Sequence, residues 1–142
     1  MRVSRVAMSM AVALAIALVG CSGSEDPGGS DGAEAQGPGW TRVSPTELDQ
    51  MLHDEDVYLV NVHVPDEGDI PGTDAKIPYT EIATRVDEVP TDGEPKLVLY
   101  CRSGDMSTEA AQDLVDVGVT GFYELEGGFI AWNDAGLPFD AP

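Results

Sequence analysis

The chain has 142 residues and a formal net charge of −19, from 26 acidic and 7 basic side chains. That length supports one modest domain plus any trimmed or extended segments. The acidity argues against a nucleic-acid surface and a polybasic membrane patch, and it repels small anions until salt screens the field.

The N-terminus begins with the basic cluster Met1-Arg2-Val3-Ser4-Arg5 and continues as a nearly unbroken apolar run from Val6 to Val19. This run is too short for a stable bilayer-spanning helix and suits a secretory leader. It closes on Leu18-Val19-Gly20-Cys21, which resembles the lipobox of bacterial lipoproteins: small residues before a cleavage site, then a thiol to carry lipid. The expected organisation is a leader over residues 1–20, a lipidated Cys21 with an acidic flexible linker over 21–39, and a folded domain over 40–142. An ordinary leader with an incidental cysteine, or an uncut anchor, are the alternatives. On the lipoprotein reading the domain is exported and held by its lipid chains at the outer face of the membrane or cell envelope. Loss of Arg2 and Arg5 then makes the mature chain more negative still. Of the two cysteines, Cys21 and Cys101, the second is left without a disulfide partner, which points to a reactive thiol.

The domain opens with Trp40-Thr41-Arg42-Val43, a short edge strand or an extended entry. Ser44-Pro45-Thr46-Glu47 reads as a helix start, with Ser44 as N-cap, Pro45 in the first turn and Glu47 closing a capping box. Leu48, Met51 and Leu52 form the apolar stripe of that helix, which frays near His53. Val57 to Val62 is a strand rich in β-branched and aromatic residues. Pro65 to Pro78 reads as a Gly/Pro/Asp-rich loop, with Pro71-Gly72 at the centre of a type II turn. Thr80 is expected to cap a helix running to about Val89, and Pro90 to Pro95 turns the chain into a strand at Leu97-Val98-Leu99-Tyr100.

A helix is expected from Thr108 to Val117, ended by Gly118, with Ser107 or Thr108 as its cap. Phe122 to Leu125 is the last strand. Gly127-Gly128 then turns the chain tightly into a helix carrying Phe129, Ile130 and Trp132, stopped by Gly136 and Pro138. Strands alternating with helices imply an α/β fold: a mainly parallel sheet of about five strands, with helices on both faces.

Chemistry concentrates in the loop Cys101-Arg102-Ser103-Gly104-Asp105-Met106-Ser107. A thiol at the carboxyl end of a parallel strand, facing a helix start, sits where ligands bind in open α/β sheets. Free backbone N–H groups there favour an anion, and the thiolate is the nucleophilic form of cysteine. A small buried cysteine that only packs is the bland alternative.

This loop resembles the six-residue active-site loop of the rhodanese-like sulfurtransferases. Leu125-Glu126-Gly127-Gly128-Phe129-Ile130-Ala131-Trp132, continuing to Ala135-Gly136-Leu137-Pro138, resembles that family's closing segment. The resemblance extends roughly from Trp40 to Phe139. It implies that Cys101 takes a sulfane sulfur as a persulfide from a small sulfur-containing anion or a persulfide donor, and hands it to a thiol or cyanide. The backbone of Arg102, Ser103, Gly104, Asp105, Met106 and Ser107 would bind the sulfur and its donor, with no cofactor or metal.

The chain departs from the family pattern at the rim. Asn61 and His63 stand where the family commonly has Asp-x-Arg, Asp69 replaces a histidine, and Met106 occupies a position often held by a hydrogen-bond donor. A thioether cannot donate to a sulfonate, and Asp105 repels it, so a persulfide or polysulfide suits this rim better than thiosulfate. His63 is either a rim proton handler or a structural hydrogen-bonding residue. A cysteine phosphatase needs an arginine where Ser107 stands, which argues against that chemistry. The remaining rivals are a non-catalytic binding or sensing module and capture of a soft metal ion by Cys101 with His63.

Overall fold

The structure of the protein, a computed structural model, describes residues 38–142. The expected leader, Cys21 and nearly all of the linker lie outside the described residues. Eight regular elements follow in chain order: β1 (Trp40–Val43), α1 (Pro45–Asp54), β2 (Val57–Asn61), β3 (Thr73–Lys76), β4 (Lys96–Tyr100), α2 (Asp105–Asp116), β5 (Phe122–Leu125) and α3 (Gly128–Asp134). The five strands form one sheet in the order β1-β5-β4-β2-β3, and all four pairings are parallel.

β4 lies at the centre because its apolar run suits burial on both faces, and Leu97 to Tyr100 are all buried. Side chains alternate along a strand, so Leu97 and Leu99 face one layer while Val98 and Tyr100 face the other. Leu97 and Leu99 join Val60, Phe122 and the α2 residues Ala110, Ala111 and Leu114. Val98 and Tyr100 join Leu59, Leu48 and Met51 of α1, and Phe129 and Trp132 of α3. Helices therefore cover both faces, as expected. The same parity carries Cys101 into the α2 layer.

α1 begins as its sequence dictates. The Glu47 N–H donates to Ser44 Oγ at 3.3 Å, and the Glu47 carboxylate accepts from the Ser44 N–H at 2.7 Å. Leu48 and Met51 are buried, and Leu52 is half-buried against them. The turn at Pro71-Gly72 also forms: the Thr73 N–H donates to the Ile70 carbonyl at 3.1 Å, with Gly72 at φ +91.

Three local expectations are corrected. The stretch from Pro65 to Pro78 is not all loop, since Thr73–Lys76 adds β3 to the sheet edge beside β2. Its residues Thr-Asp-Ala-Lys carry no apolar pattern. Charged side chains on an edge strand discourage further pairing. Asp74 also accepts from the Leu59 N–H at 2.8 Å where the β2–β3 register shifts.

Thr80 to Val89 forms no α-helix but a series of tight turns ending in a 3₁₀ turn at Val86–Glu88. The Thr84 hydroxyl donates to the Glu81 carbonyl at 2.8 Å and competes with the helical ladder. Ile82 and Val89 still reach the core.

α2 starts at Asp105 rather than Thr108, with Gly104 as N-cap at φ +103. Neither Ser107 nor Thr108 is a cap; both lie inside the helix. This moves Ser107 from loop edge to buried interior.

Candidate active site

Cys101 follows β4, and only 1% of its surface is exposed. Its sulfur has two polar neighbours among the described residues. The Gly104 N–H donates to Sγ at 3.0 Å, and Ser107 Oγ lies 3.4 Å away. The loop between β4 and α2 thus closes over the sulfur, and a backbone donor is aimed at it. Such a donor favours negative charge on sulfur and costs no reorganisation when that charge develops.

The Gly127-Gly128 pair explains how the loop is held. The N–H groups at the start of α3 donate to the loop's carbonyls, Phe129 to Cys101 at 2.9 Å and Ile130 to Arg102 at 3.1 Å. For this, α3 must approach the loop backbone closely. A Cβ on Gly128 would lie 2.3 Å from the Cys101 carbonyl oxygen and 2.4 Å from that of Arg102. Gly128 also sits at φ +60. Glycine is required here on both counts.

Behind the loop, Ser107 meets two residues that the sequence did not single out as functional, Glu124 and, through it, Arg42. Ser107 Oγ donates to Glu124 Oε1 at 2.6 Å, and Arg42 Nε donates to Glu124 Oε2 at 3.1 Å. Arg42 Nη2 also donates to Thr108 Oγ1 at 3.0 Å. Glu124 is 1% exposed. Burial pushes its carboxyl above the usual carboxylate range, against the opposing pull of Ser107 and Arg42. One sequence signal was available: β1 and β5 each carry a single charge, of opposite sign, and Arg42 pairs with Glu124 in parallel register. Arg42, Glu124, Ser103, Asp105, Thr108 and Glu126 also line a cleft of about 230 Å³ beside the loop.

In front of the loop the expected rim residues take different roles. Arg102 is exposed, and its Nη1 donates to Glu67 at 3.4 and 3.5 Å. Glu67 is a further residue that the sequence did not mark. Its other contact is His63 Nε2 at 2.5 Å.

His63 is buried beneath the rim, with its ring edge against Phe129 and its Nδ1 without a partner. Of the two roles expected for His63, this arrangement fits the structural hydrogen-bonding one, with Glu67 as its partner. Asn61 is structural: its side chain donates to the Gly68 carbonyl and to Asp69, and accepts from the His63 N–H at 3.0 Å. Ser103 and Asp105 are exposed and meet each other at 3.4 Å. Met106, expected in the donor site, is half-buried and packs against the α2-side core.

Comparison with known proteins agrees with this geometry. The family model for the rhodanese-like domain matches residues 44–135. A sulfurtransferase of Allochromatium vinosum is 39% identical over 104 residues, covering 70% of this chain and 94% of that protein. The thiosulfate sulfurtransferase GlpE of Pseudoalteromonas translucida is 32% identical over 96 residues, covering 66% of this chain and 89% of its own.

Among solved structures, the rhodanese-like domain of an Anabaena protein superimposes with a TM-score of 0.61 at 20% identity, covering 71% of this chain and 79% of its own. A rhodanese-related protein of Thermoplasma volcanium does so with 0.59 at 23% identity, covering 69% and 95%. These two share the fold. With the matched family model and the extent of the sequence relatives, the chain belongs to the rhodanese-like domain family.

Proposed function

We propose that the domain transfers sulfane sulfur through a persulfide on Cys101. Family membership and the sulfurtransferase relatives support a sulfurtransferase-type function at the family level. The observation that carries the finer reading is the Cys101 sulfur at the end of β4, with the Gly104 N–H aimed at it at 3.0 Å. In the first half-reaction the Cys101 thiolate attacks the outer sulfur of the donor. A sulfur–sulfur bond forms at Cys101, the donor's own bond breaks, and its leaving group departs with the electron pair. In the second, a thiolate or cyanide attacks the outer sulfur and Cys101 is released as thiolate. This is covalent catalysis, and ping-pong kinetics follow from it.

The rim supports a persulfide or polysulfide over thiosulfate. Glu67 holds the guanidinium of Arg102, Asp105 adds a second carboxylate, and Met106 offers no donor. Exposure of the full chain to glutathione persulfide, and separately to thiosulfate, followed by mass spectrometry of the Cys101 peptide, tests the reading. A reductant-labile gain of one sulfur, absent in Cys101→Ser and greater with persulfide, is expected. No gain from either donor would favour a binding module instead, as the near-complete burial of the thiol would suit.

The leader pattern supports export and lipid anchoring through Cys21 at the outer face of the membrane. Incorporation of labelled palmitate in a bacterial host, lost in Cys21→Ala, checks that location.

A further inference from the structure

We propose that Ser107 and Glu124 form a buried proton relay for Cys101. The Cys101 S–H proton passes to Ser107 Oγ while Ser107's own hydroxyl proton passes to Glu124 Oε1. One S–H bond and one O–H bond break, and two O–H bonds form. The products are a thiolate and a neutral carboxylic acid, and no charge enters or leaves the site.

The geometry carries this assignment. Ser107 has one hydroxyl proton and three acceptors within reach: Glu124 at 2.6 Å, the Gly104 carbonyl at 3.2 Å and Cys101 Sγ at 3.4 Å. The short bond to a carboxylate is the charge-assisted one and takes the proton. A lone pair of Ser107 is then left to face the sulfur and accept from it.

Ionising Cys101 with Glu124 still charged would set two anions around one buried hydroxyl, which low dielectric penalises strongly. Moving the proton along the chain keeps a single negative charge in the site. The Gly104 N–H stands ready to receive that charge on sulfur at 3.0 Å.

The groups facing Glu124 fit a store that takes and returns one proton. Arg42 from β1 binds the other carboxylate oxygen, Ser107 approaches from α2, and Glu126 adds a like charge from the chain beyond β5. The elevated protonation range of Glu124 is consistent with that use. Glu124 acts through Ser107 and is a positioning residue in this sense. Nothing in the transfer reaction itself needs it to touch a donor.

The relay serves the sulfur-transfer reading, yet it is measurable without any sulfur donor. Coupled groups titrate as a pair, and between their two steps the fraction of each protonation arrangement is independent of pH. The measurement is the rate of Cys101 alkylation by iodoacetamide from pH 5 to 9, read at the Cys101 peptide of the full chain. The wild type is expected to show a plateau between the two titration steps of the pair. In Ser107→Ala and Glu124→Gln the rate is expected to fall about tenfold per pH unit, as for an isolated thiol.

A wild-type profile without a plateau, or a plateau that survives in either folded variant, overturns the relay. Ser107→Ala keeps the Glu124–Arg42 pair and decides the matter if Glu124→Gln does not fold. Sulfur gain with no plateau would leave the transferase reading intact and remove only the relay.

Discussion

Behind Cys101 a carboxylate is locked away, and in front of it the charges stand in water. Each side uses an arginine and a glutamate. Behind the loop, Glu124 is 1% exposed and Arg42 reaches it at 3.1 Å. In front, Arg102 and Glu67 are 53% and 38% exposed and meet at 3.4 Å. The same residue pair therefore does different work. A surface pair is worth little and fades with salt, while a buried charge that loses its partner destabilises strongly. The rear pair holds the surroundings of the Cys101 sulfur through Ser107; under the proposed transfer reaction, the front pair bears on which donor approaches.

The strongest way to break this comparison is to disturb the rigid side. Gly128→Ala places a Cβ against two backbone carbonyl oxygens that cannot move aside cheaply. The expected loss is about 3 kcal/mol or more in urea unfolding, from overpacking together with backbone strain. Gly104→Ala is the matched control. Its Cβ would meet nothing nearer than 3.6 Å, which leaves a strain cost of about 1–2 kcal/mol at φ +103. If Gly104→Ala proves the more damaging, close approach of α3 is not what holds the loop.

A smaller effect concerns Glu124 itself, because Ser107 and Arg42 offset part of its burial penalty. Its folded carboxyl titrates above the ordinary value of 4.5, so the folded chain holds that proton more tightly than the unfolded chain. Stability then falls as pH rises from the unfolded value through the raised folded one. Glu124→Gln cannot titrate. The wild type is thus expected to lose stability relative to Glu124→Gln as pH rises from 4 towards neutrality, as measured by unfolding across that range. A difference that stays constant or reverses would show that Arg42 outweighs burial.

The smallest expected effect lies at the front. Glu67→Gln releases the guanidinium of Arg102 and removes a carboxylate from the rim. Turnover with thiosulfate relative to a persulfide is expected to rise about two- to fivefold at low ionic strength and to shrink in high salt. An unchanged ratio would mean that the front pair has no part in donor choice.

Much of this molecule is legible in its sequence. Ser44 and Glu47 marked the start of α1 because a capping box is a local hydrogen-bond pattern. The apolar run Leu97 to Tyr100, the glycine-containing Cys101 loop and the Gly127-Gly128 turn likewise announce themselves within a few residues. Where the reading failed, local signals were weak or misleading. β3 is Thr-Asp-Ala-Lys, held as a strand by the edge of β2 rather than by any pattern of its own. Thr80 opened a plausible helix that the chain instead folds as tight turns, because burying Ile82 and Val89 does not need a regular helix.

The layered α/β architecture and a cysteine at the mouth of a parallel strand follow from periodicity and short-range spacing alone. The sequence could not show that Ser107 faces inward, because that depends on α2 beginning at Asp105 and on strand β5 lying beside it. Nor could it join Arg42 to Glu124, which are 82 residues apart in the chain and neighbours only through the β1–β5 pairing. Tertiary structure decided these points for one physical reason. A buried charge is tolerated only where partners from distant segments converge on it, and convergence is a property of the folded chain.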